Sequence, residues 1–363
     1  LPVMVPSEKS VFGEAHYSFT LAPTLGFDHA EATGAALPTD YELAAWAPDA
    51  LLGPAWPAIY AALGSAIHND YPVIEGLLNA VHLDHSITLK YTPEQMLERG
   101  ITTIDVTSHV AAVDESSSGR IVTVALELKA NGEHVGSTQE RFAIRGRATG
   151  NRTPSEAAPF GGAKVEVVDT PRSVLRRVSV KAPDDMTPFA IVSGDYNPIH
   201  TSYAAAKVAG MDAPLVHGMW LSATAQHAAE AVVAGQGGAQ IAGWTYYMYG
   251  TVDLNDEVEI TVERVGRVVG GGLSLEVTCR INKQVVSRAS AYTFAPKVAY
   301  VYPGQGIQSA GMGLDERTKS KAVDEVWRRA DAHTRSAMGF SILAIVRDNP
   351  TEIVARGVTY RHP

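Results

Sequence analysis

The sequence repeats one pattern of alternating polar and apolar residues, and this repeat constrains the fold more than any other feature. Three alternating runs lie in each half of the chain. They occupy residues 101–113, 119–130 and 133–144, and then 256–269, 273–281 and 284–294. A period of two residues is typical of strands that bury one face. The Asn131-Gly132 and Asn282-Lys283 pairs predict tight hairpin turns, so we expect two copies of one antiparallel unit.

A helical segment precedes each set of strands. Apolar residues recur at helical spacing in residues 72–83 and 214–233, and each segment has a glycine near its start. A helix followed by long antiparallel strands, found twice, indicates a curved sheet wrapped around a central helix. We therefore predict an α+β double hotdog, two antiparallel sheets each wrapped on a central helix. The copies span residues 1–150 and 163–296, with a linker rich in Pro, Gly and Ser at residues 151–162.

The pattern changes again after the second set of strands. Residues 298–313 have the pattern of a buried strand that runs into a glycine-rich turn, and residues 321–338 have that of an amphipathic helix. We expect residues 297–363 to be a truncated α/β transferase segment. Residues 1–9 contain neither an initiator Met nor a signal-peptide pattern, so we also expect the chain to be a piece of a larger protein.

Composition argues against several classes of protein. The formal net charge is −9, and the sequence has no cluster of Lys and Arg that could neutralise a phosphate backbone, so we expect no nucleic-acid partner. The apolar runs stay shorter than the roughly 20 residues of a membrane span, which predicts no membrane partner. The single cysteine, Cys279, cannot form an internal disulfide. We expect it to pack in the core of a cytoplasmic protein.

One short segment of the second half carries the residues of an acid–base reaction. Asp195 and His200 lie five positions apart in SGDYNPIH, and the Asn197-Pro198 step disfavours a helix there. Both side chains can therefore turn toward one pocket. Removal of water from a β-hydroxyacyl thioester needs a base for the α-proton and an acid for the departing hydroxyl, which an imidazole and a carboxylate supply. We favour His200 as the base and Asp195 as the acid, and the exchanged roles stay open.

The helix that follows is suited to stabilising an enolate. His217-Gly218 opens it, and backbone N–H groups at a helix start, aided by the helix dipole, favour a developing negative charge. Glycine at this position would let a thioester approach closely. We expect His217, Gly194 and Met219 to bind substrate, with a role for His217 either in the pocket lining or in capping the helix.

The repeat also provides an internal comparison. Residues 51–59, set against residues 192–200, keep the glycine and the proline of the turn but lack both proton-transfer groups. The replacements are Pro54 for Asp195, Ile59 for His200 and Glu75-Gly76 for His217-Gly218. A packing role would predict similar residues in both copies. We therefore predict a non-catalytic first copy and a catalytic second copy.

The segment SGDYNPIH, followed by LVHGM at residues 215–219, resembles the signature of the MaoC-like (R)-specific enoyl hydratases. The resemblance covers about residues 165–295, with the first half only as a degenerate partner. The catalytic residues that it implies are Asp195 and His200, with Asn197 in support and Gly218 as an oxyanion N–H donor. The reaction that it implies is conversion of a (3R)-hydroxyacyl thioester to the trans-2-enoyl thioester.

Residues 302–313, YPGQGIQSAGMG, resemble the opening strand and loop of the malonyl/acyl-carrier transacylases. In that family the loop backbone near the motif glutamine, here Gln305, helps to form an oxyanion hole. The Gly-x-Ser-x-Gly nucleophile segment of the family does not occur after Tyr302, so we expect no acyl transfer by these residues. A dehydratase followed by such a unit resembles the β half of fungal and mycobacterial type I fatty acid synthases.

That order of units implies a substrate and partners. The substrate would arrive on the phosphopantetheine of an acyl carrier domain, and this segment would need no cofactor of its own. The partners would be the acyl carrier domain and the other domains of a fatty acid synthase, in a homo-oligomeric cytoplasmic assembly. Two alternatives stay open: a free-standing (R)-specific enoyl-CoA hydratase and a non-catalytic scaffold segment of a multienzyme.

Two further groups of residues, five histidines and a run of aromatic side chains, could have a function. Five histidines lack the spacing typical of zinc ligands, so we predict no metal site. They are His68, His82, His85, His217 and His227. The aromatic side chains between Trp244 and Tyr249 alternate as in a strand, and they either pack in the core or line an acyl tunnel.

Overall fold

The computed structural model describes residues 1–37, 46–68, 70–74, 80–116, 119–145, 165–234, 240–295 and 308–361. The chain divides into two compact units, Leu1–Lys297 and Val298–Pro363. The predicted linker at residues 151–162 lies outside the described residues. Among the helices within the described ranges, none combines the length and the apolar character needed to cross a membrane.

The first unit is built from an antiparallel sheet and helices. Its strands are β1 (Val3–Val5), β2 (Glu14–Thr20), β3 (Ile67–His68), β4 (Tyr71–Pro72), β5 (Ala80–Leu89), β6 (Thr103–Ser116), β7 (Gly119–Ala130), β8 (Glu133–Ile144), β9 (Val167–Lys181), β10 (Ile241–Met248), β11 (Glu257–Val268), β12 (Leu273–Ile281) and β13 (Gln284–Thr293). Its helices are α1 (Pro23–Gly34), α2 (Leu52–Ser65), α3 (Pro93–Glu98), α4 (Thr187–Ser193), α5 (Tyr203–Val208) and α6 (Gly218–Ala234), with a 3-10 turn at Pro48–Leu51.

Eleven of these strands form one sheet in the order β1-β2-β6-β7-β8-β5-β10-β13-β12-β11-β9. Antiparallel pairing of β5 with β10 joins two halves at the centre, where Ile87 lies opposite Trp244. The first half contains the strands up to β8 with α1 to α3, and the second half contains β9 to β13 with α4 to α6. Helix α2 packs against the first half of the sheet and α6 against the second. This is the predicted double arrangement of sheet and central helix, with the two predicted sheets joined into one by β5 and β10.

All six predicted strands are present, as β6, β7, β8, β11, β12 and β13. The turn after β7 has positive φ at both residues, 51° at Asn131 and 80° at Gly132, and the turn after β12 has 49° at Asn282 and 69° at Lys283. Two successive residues in this left-handed region form the hairpin turn that matches the twist of the strands. The predicted hairpins are therefore confirmed. Cys279 is buried within β12, as expected.

The helix predicted at residues 72–83 is wrong. Residues 80–89 form β5, residues 71–72 belong to β4, and residues 75–79 lie outside the described part of the chain. Strand β5 pairs with β8 on one side and with β10 on the other. Its residues 84–87 are all buried. A strand enclosed in this way loses the simple alternation that distinguishes a strand from a helix.

The central helix of the first half is α2, which the repeat comparison treated as a turn. Its buried side chains recur at helical spacing, at Leu52, Ala55, Trp56, Ile59, Ala62 and Leu63. Pro54 lies in the first turn, where a missing N–H is tolerated. Because this helix was aligned with a turn, the pairings of Pro54 with Asp195 and of Ile59 with His200 are wrong. The Glu75-Gly76 pairing lies outside the described residues.

The second unit is described from residue 308 onward. It contains α7 (Leu314–Lys319), α8 (Lys321–Met338), α9 (Ile342–Asp348), and a hairpin of β14 (Glu352–Ala355) and β15 (Val358–Arg361). The helix predicted at residues 321–338 is confirmed. Ser320 caps it by accepting the N–H of Val323 at 3.4 Å. The predicted strand before it and Gln305 lie outside the described residues.

Buried polar groups join the two halves of the first unit. Asp49, in the 3-10 turn, accepts hydrogen bonds from Ser222 Oγ at 2.7 Å and from Gln226 Nε2 at 2.6 Å. Its Oδ1 lies 2.8 Å from His85 Nε2, and His85 Nδ1 lies 2.8 Å from Glu140 Oε1. Burial alone would lower the pKa of His85, but the charges of Glu140 and Asp49 outweigh it and raise that pKa to about 10. His85 is therefore a buried cation between two carboxylates.

Candidate active site

A cavity of about 810 Å³ lies between the two halves of the first unit. The second half supplies Asp195, Asn197, His200, His217, Gly218 and Met219 to its wall, and the first half supplies Trp56, Tyr60, Leu63, His82 and Phe142. Gly194 does not line it. Of the seven site residues predicted from the sequence, the structure therefore brings six together in one cavity.

Helix α4 and the turn after it position Asp195. The helix ends at Ser193, and Gly194 takes a left-handed conformation, with φ 69°, that redirects the chain. Asp195 Oδ1 then accepts the N–H of Asn197 at 3.1 Å, and Asn197 Oδ1 accepts the N–H of Ile199 at 3.3 Å. Two such side-chain-to-backbone turns in succession hold the chain in one shape. Gly194 thus acts on the backbone, and Asn197 braces the turn.

His200 presents a neutral imidazole to the cavity. Its Nδ1 donates to the carbonyl oxygen of Leu215 at 2.8 Å, so Nε2 carries the lone pair. Burial lowers the pKa of His200, although the Asp195 charge and the Leu215 carbonyl oppose that effect. A neutral ring with a lone pair on Nε2 can accept a proton.

His217 lies behind His200. The two rings stack with their centroids 3.8 Å apart, and His217 Nε2 donates to the carbonyl oxygen of Asp195 at 3.1 Å. Burial, with a smaller contribution from the neighbouring His200, lowers the pKa of His217 to about 3. His217 is therefore neutral, and its hydrogen bond fixes the backbone at Asp195.

The donor atoms of Asp195, His200 and His217 lie within 4.8 Å of one another. Such a group has the composition of a metal site. His200 Nδ1 and His217 Nε2 both donate to carbonyl oxygens. Each ring therefore keeps one nitrogen with a lone pair, which can accept a proton or bind a metal ion.

Helix α6 begins at the cavity wall with Gly218, at the His217-Gly218 step that the sequence predicts as its opening. The first N–H groups of a helix form the positive end of its dipole, although here the N–H of Trp220 already donates to the carbonyl oxygen of His217 at 3.0 Å. A Cβ at Gly218 would lie 2.4 Å from Met248 Sδ. The Met248 side chain therefore packs directly on the backbone at this point, and a Cβ there would require that side chain to shift.

Two polar groups of the first half also line the cavity, and sequence reasoning missed both roles. Tyr60 Oη donates to Asp195 Oδ1 at 3.1 Å, and His82 Nε2 lies 2.9 Å from Glu140 Oε2. His82 was considered only as a metal ligand, and Tyr60 was missed because α2 was treated as a turn. The helical recurrence of apolar residues in Leu52–Ser65 is the signal that would have placed Tyr60 on a helix.

The aromatic side chains of β10 and the residue after it divide between packing and the cavity wall. Trp244 is buried and donates to Ser222 Oγ at 3.0 Å, so it belongs to the core. Tyr246 and Tyr249 line the cavity. Tyr246 also donates to Ser287 Oγ at 2.8 Å, which fixes its ring.

Two family models match this chain. Residues 163–285 match the MaoC like domain, and residues 299–359 match the acyl transferase domain. The chain is also similar to the fatty acid synthase subunit beta of Saccharomyces cerevisiae, at 36% identity over 171 residues, and to the fatty acid synthase beta subunit stcK of Emericella nidulans, at 34% over 180 residues. These alignments cover 47% and 48% of this chain but only 8% and 9% of the relatives, so the chain spans less than a tenth of their length.

Solved structures share the fold of the first unit. A MaoC-like dehydratase from Phytophthora capsici aligns with a TM-score of 0.55 at 15% identity, over 78% of this chain and 96% of its own. HtdX of Mycobacterium tuberculosis aligns with a TM-score of 0.52 at 16% identity, over 77% of this chain and 98% of its own. At identities this low the likeness concerns the fold alone. The shared fold confirms the predicted double hotdog.

The sequence match and the geometry fall on the same part of the chain. Asp195, His200 and helix α6, which line the cavity from the second half, all lie within residues 163–285. The chain thus contains a MaoC-like dehydratase domain followed by an acyl transferase segment, and its relatives are the beta subunits of fungal fatty acid synthases.

Proposed function

We propose that the first unit dehydrates (3R)-hydroxyacyl thioesters to trans-2-enoyl thioesters in fatty acid synthesis. The single observation that supports this most directly is the meeting of Asp195, His200 and the start of α6 in one cavity. A carboxylate, a neutral imidazole and backbone N–H donors are the parts that the elimination needs. The match of residues 163–285 to the MaoC like domain also supports a dehydratase.

Besides the proton on His200 Nδ1, the reactive state of this pair holds one exchangeable proton, which lies either on Asp195 or on His200 Nε2. With that proton on Asp195, His200 Nε2 takes the α-proton of the substrate. The electrons of the C–H bond form the new double bond through an enolate, whose oxygen accepts an N–H from Gly218. Asp195 gives its proton to the β-hydroxyl, which leaves as water, and the proton on His200 then returns to Asp195. The exchanged assignment has the same total number of protons, and the neutral ring of His200 favours the first.

In this proposal the two copies have different roles. The copy at residues 1–150 is non-catalytic, the copy at residues 163–296 carries the proton-transfer groups, and residues 297–363 form the transferase segment. Gly218 supplies the oxyanion donor, and His217 and Met219 line the substrate cavity beside it. Gly194 contributes through the turn that it makes possible, not through contact with the substrate.

The substrate would arrive on the phosphopantetheine of an acyl carrier domain. The similarity to fungal fatty acid synthase beta subunits and the acyl transferase match at residues 299–359 support this. The partners would be that carrier domain and the other synthase domains, in a homo-oligomeric cytoplasmic assembly, and the first unit would need no cofactor of its own. The cavity, at about 810 Å³, has the volume of a small-molecule site.

Comparison of carriers tests the proposal. The purified chain is given (3R)-3-hydroxybutyryl groups on acyl carrier protein or on coenzyme A, with the (3S) forms as matched controls, and enoyl thioester formation is followed. We expect turnover of the (3R) forms only, with the higher kcat/KM on acyl carrier protein. A higher kcat/KM on coenzyme A would favour a free-standing hydratase. The absence of turnover on either carrier would favour a scaffold and contradict the proposal.

A further inference from the structure

One face of helix α2 lies against the segment of residues 193–200. Gly53 and Tyr60 are seven residues apart, about two helical turns, and therefore share this face. A Cβ on Gly53 would lie 2.9 Å from the carbonyl oxygen of Val192 and 3.0 Å from Ser193 Cα. Both of these are backbone atoms, which cannot move aside as the end of a flexible side chain can. Glycine at position 53 thus lets the helix approach the catalytic segment more closely than a larger residue would.

The close approach brings the Tyr60 hydroxyl to Asp195. Tyr60 Oη donates to Asp195 Oδ1 at 3.1 Å, and the N–H of Asn197 donates to the same oxygen at 3.1 Å. Two donors on one carboxylate oxygen fix the rotation of the group. The other oxygen, Oδ2, lies 3.8 Å from His217 Nε2 and takes part in neither bond. Oδ2 is therefore the oxygen left to face a substrate.

The Tyr60 hydroxyl keeps its proton in this position. Burial raises the pKa of Tyr60 well above its usual value, and the negative charge of Asp195 raises it further. The phenol ring also packs edge-on against Trp56, with the ring centroids 5.6 Å apart. Tyr60 is thus a permanent hydrogen-bond donor held in one place by its neighbours.

We propose that Tyr60, brought within reach by Gly53, is a positioning residue for Asp195. The first half of the unit then completes an active site whose proton-transfer groups all come from the second half. This inference rests on the proposed dehydration, because the carboxylate that Tyr60 orients is the group proposed to exchange protons with the substrate. It gives the non-catalytic copy a direct effect on the rate.

Tyr60→Phe tests the hydrogen bond, since it removes the donor and keeps the ring. We expect kcat for dehydration of (3R)-3-hydroxybutyryl acyl carrier protein to fall about 10- to 100-fold, as for the loss of a hydrogen bond to a charged group. KM should change by less than about 3-fold, because substrate contacts stay intact. Tyr91→Phe, at another half-buried tyrosine of the first half outside the cavity wall, is the control that should change neither.

Gly53→Ala tests the close approach. The added methyl group would push α2 away from the backbone of Val192, so we expect a loss of kcat similar to that of Tyr60→Phe. Because both changes break the same contact, the double variant should lose no more than the worse single variant. Gly64→Ala is the matched control, since it lies in the same helix and its added Cβ meets nothing within 4 Å.

The outcomes separate this inference from the proposed function. If the wild-type protein dehydrates the substrate and Tyr60→Phe retains the wild-type kcat, the inference is wrong and the proposed function stands. Multiplied losses in the double variant would also overturn it, because the two residues would then act independently. An inactive wild-type protein would overturn the proposed function and this inference with it. Activities are expressed per folded molecule from urea unfolding curves, so a loss of folding is not counted as a loss of positioning.

Discussion

Each half of the first unit brings an aspartate and a histidine together, and the two pairs behave differently. In the first half, Asp49 and His85 are buried and hydrogen-bonded at 2.8 Å. In the second half, Asp195 and His200 both line the cavity. The same two residue types therefore form a buried ion pair in the first half, called the closed pair below. In the second half they form a pair that faces the cavity, called the open pair. The difference lies in what surrounds each pair.

Hydrogen-bond partners account for that difference. Both ring nitrogens of His85 face carboxylates, so the ring is charged and has no lone pair to offer. His200 uses Nδ1 on a backbone carbonyl, and burial keeps the ring neutral with a lone pair on Nε2. Contact between an aspartate and a histidine is thus not enough for proton transfer. The histidine must also keep one lone pair that faces a cavity.

The largest effect on activity is expected at His200. His200→Gln removes the proton acceptor, and we expect kcat for dehydration to fall about 100- to 10,000-fold, the range for loss of general acid–base catalysis. The same change at His134, an exposed residue of β8, is the control and should leave kcat unchanged. Retention of more than about a third of wild-type activity by His200→Gln would contradict the assignment of the open pair.

The corresponding change in the closed pair should affect stability instead. His85→Gln removes the cation between the buried carboxylates of Asp49 and Glu140, and we expect the free energy of unfolding to fall by about 3–5 kcal/mol. His16→Gln is the control, because His16 pairs with Glu14 at 2.8 Å on the surface; a loss below about 1 kcal/mol is expected there. Urea unfolding measures both. Equal losses in the two variants would mean that burial does not distinguish these pairs.

The first residues of the two central helices provide a further contrast. Helix α2 begins with Leu52, whereas α6 begins with Gly218. Gly218→Ala would place a methyl group 2.4 Å from Met248 Sδ, so either the Met248 side chain in the cavity wall or the backbone N–H groups at the helix start must shift. We expect kcat/KM to fall about 10-fold, as for a small misplacement of a catalytic donor. Unchanged kcat/KM in Gly218→Ala would argue against an oxyanion site at this helix start.

The last expected effect is a slope of stability with pH. The pKa of His85 is about 10 in the folded protein and about 6.5 in an unfolded chain. The folded state therefore holds one more proton between these values, so the free energy of unfolding should fall as pH rises from about 6.5 toward 10, by at most about 1.4 kcal/mol per pH unit. The contribution is fully present below about pH 6.5. Urea unfolding across this range should show a shallower fall for His85→Gln, and equal slopes would contradict a charged His85.

Sequence predicted what is local in this fold. The six strands of the two hairpin sets follow from an alternation that is visible within a dozen residues, and the left-handed turns follow from two adjacent residues such as Asn131-Gly132. Asp195, His200 and Gly218 lie within 24 residues of one another, so a single segment contained the candidate site. Local patterns were sufficient for these features because their partners are close in the chain.

Contacts distant in the chain account for what was missed. Strand β5 has its place because β8 and β10 pair with it on both sides, and its own residues give no clear alternation. Tyr60 and Asp195 are 135 residues apart, and Asp49 and Ser222 are 173 apart. Nothing in the segment around Tyr60 indicates that its hydroxyl would meet a carboxylate of the other half. The prolines at positions 54 and 57 further concealed the helix that carries it.

The most direct test of the account is the dehydration rate of Asp195→Asn, an isosteric change that removes the ionisable group. With (3R)-3-hydroxybutyryl acyl carrier protein as the substrate, we expect kcat/KM to fall at least about 100-fold, while the urea unfolding midpoint stays within about 0.3 M of the wild-type value. A variant that folds and dehydrates at the wild-type rate would show that the open pair of the second half is not the site of proton transfer.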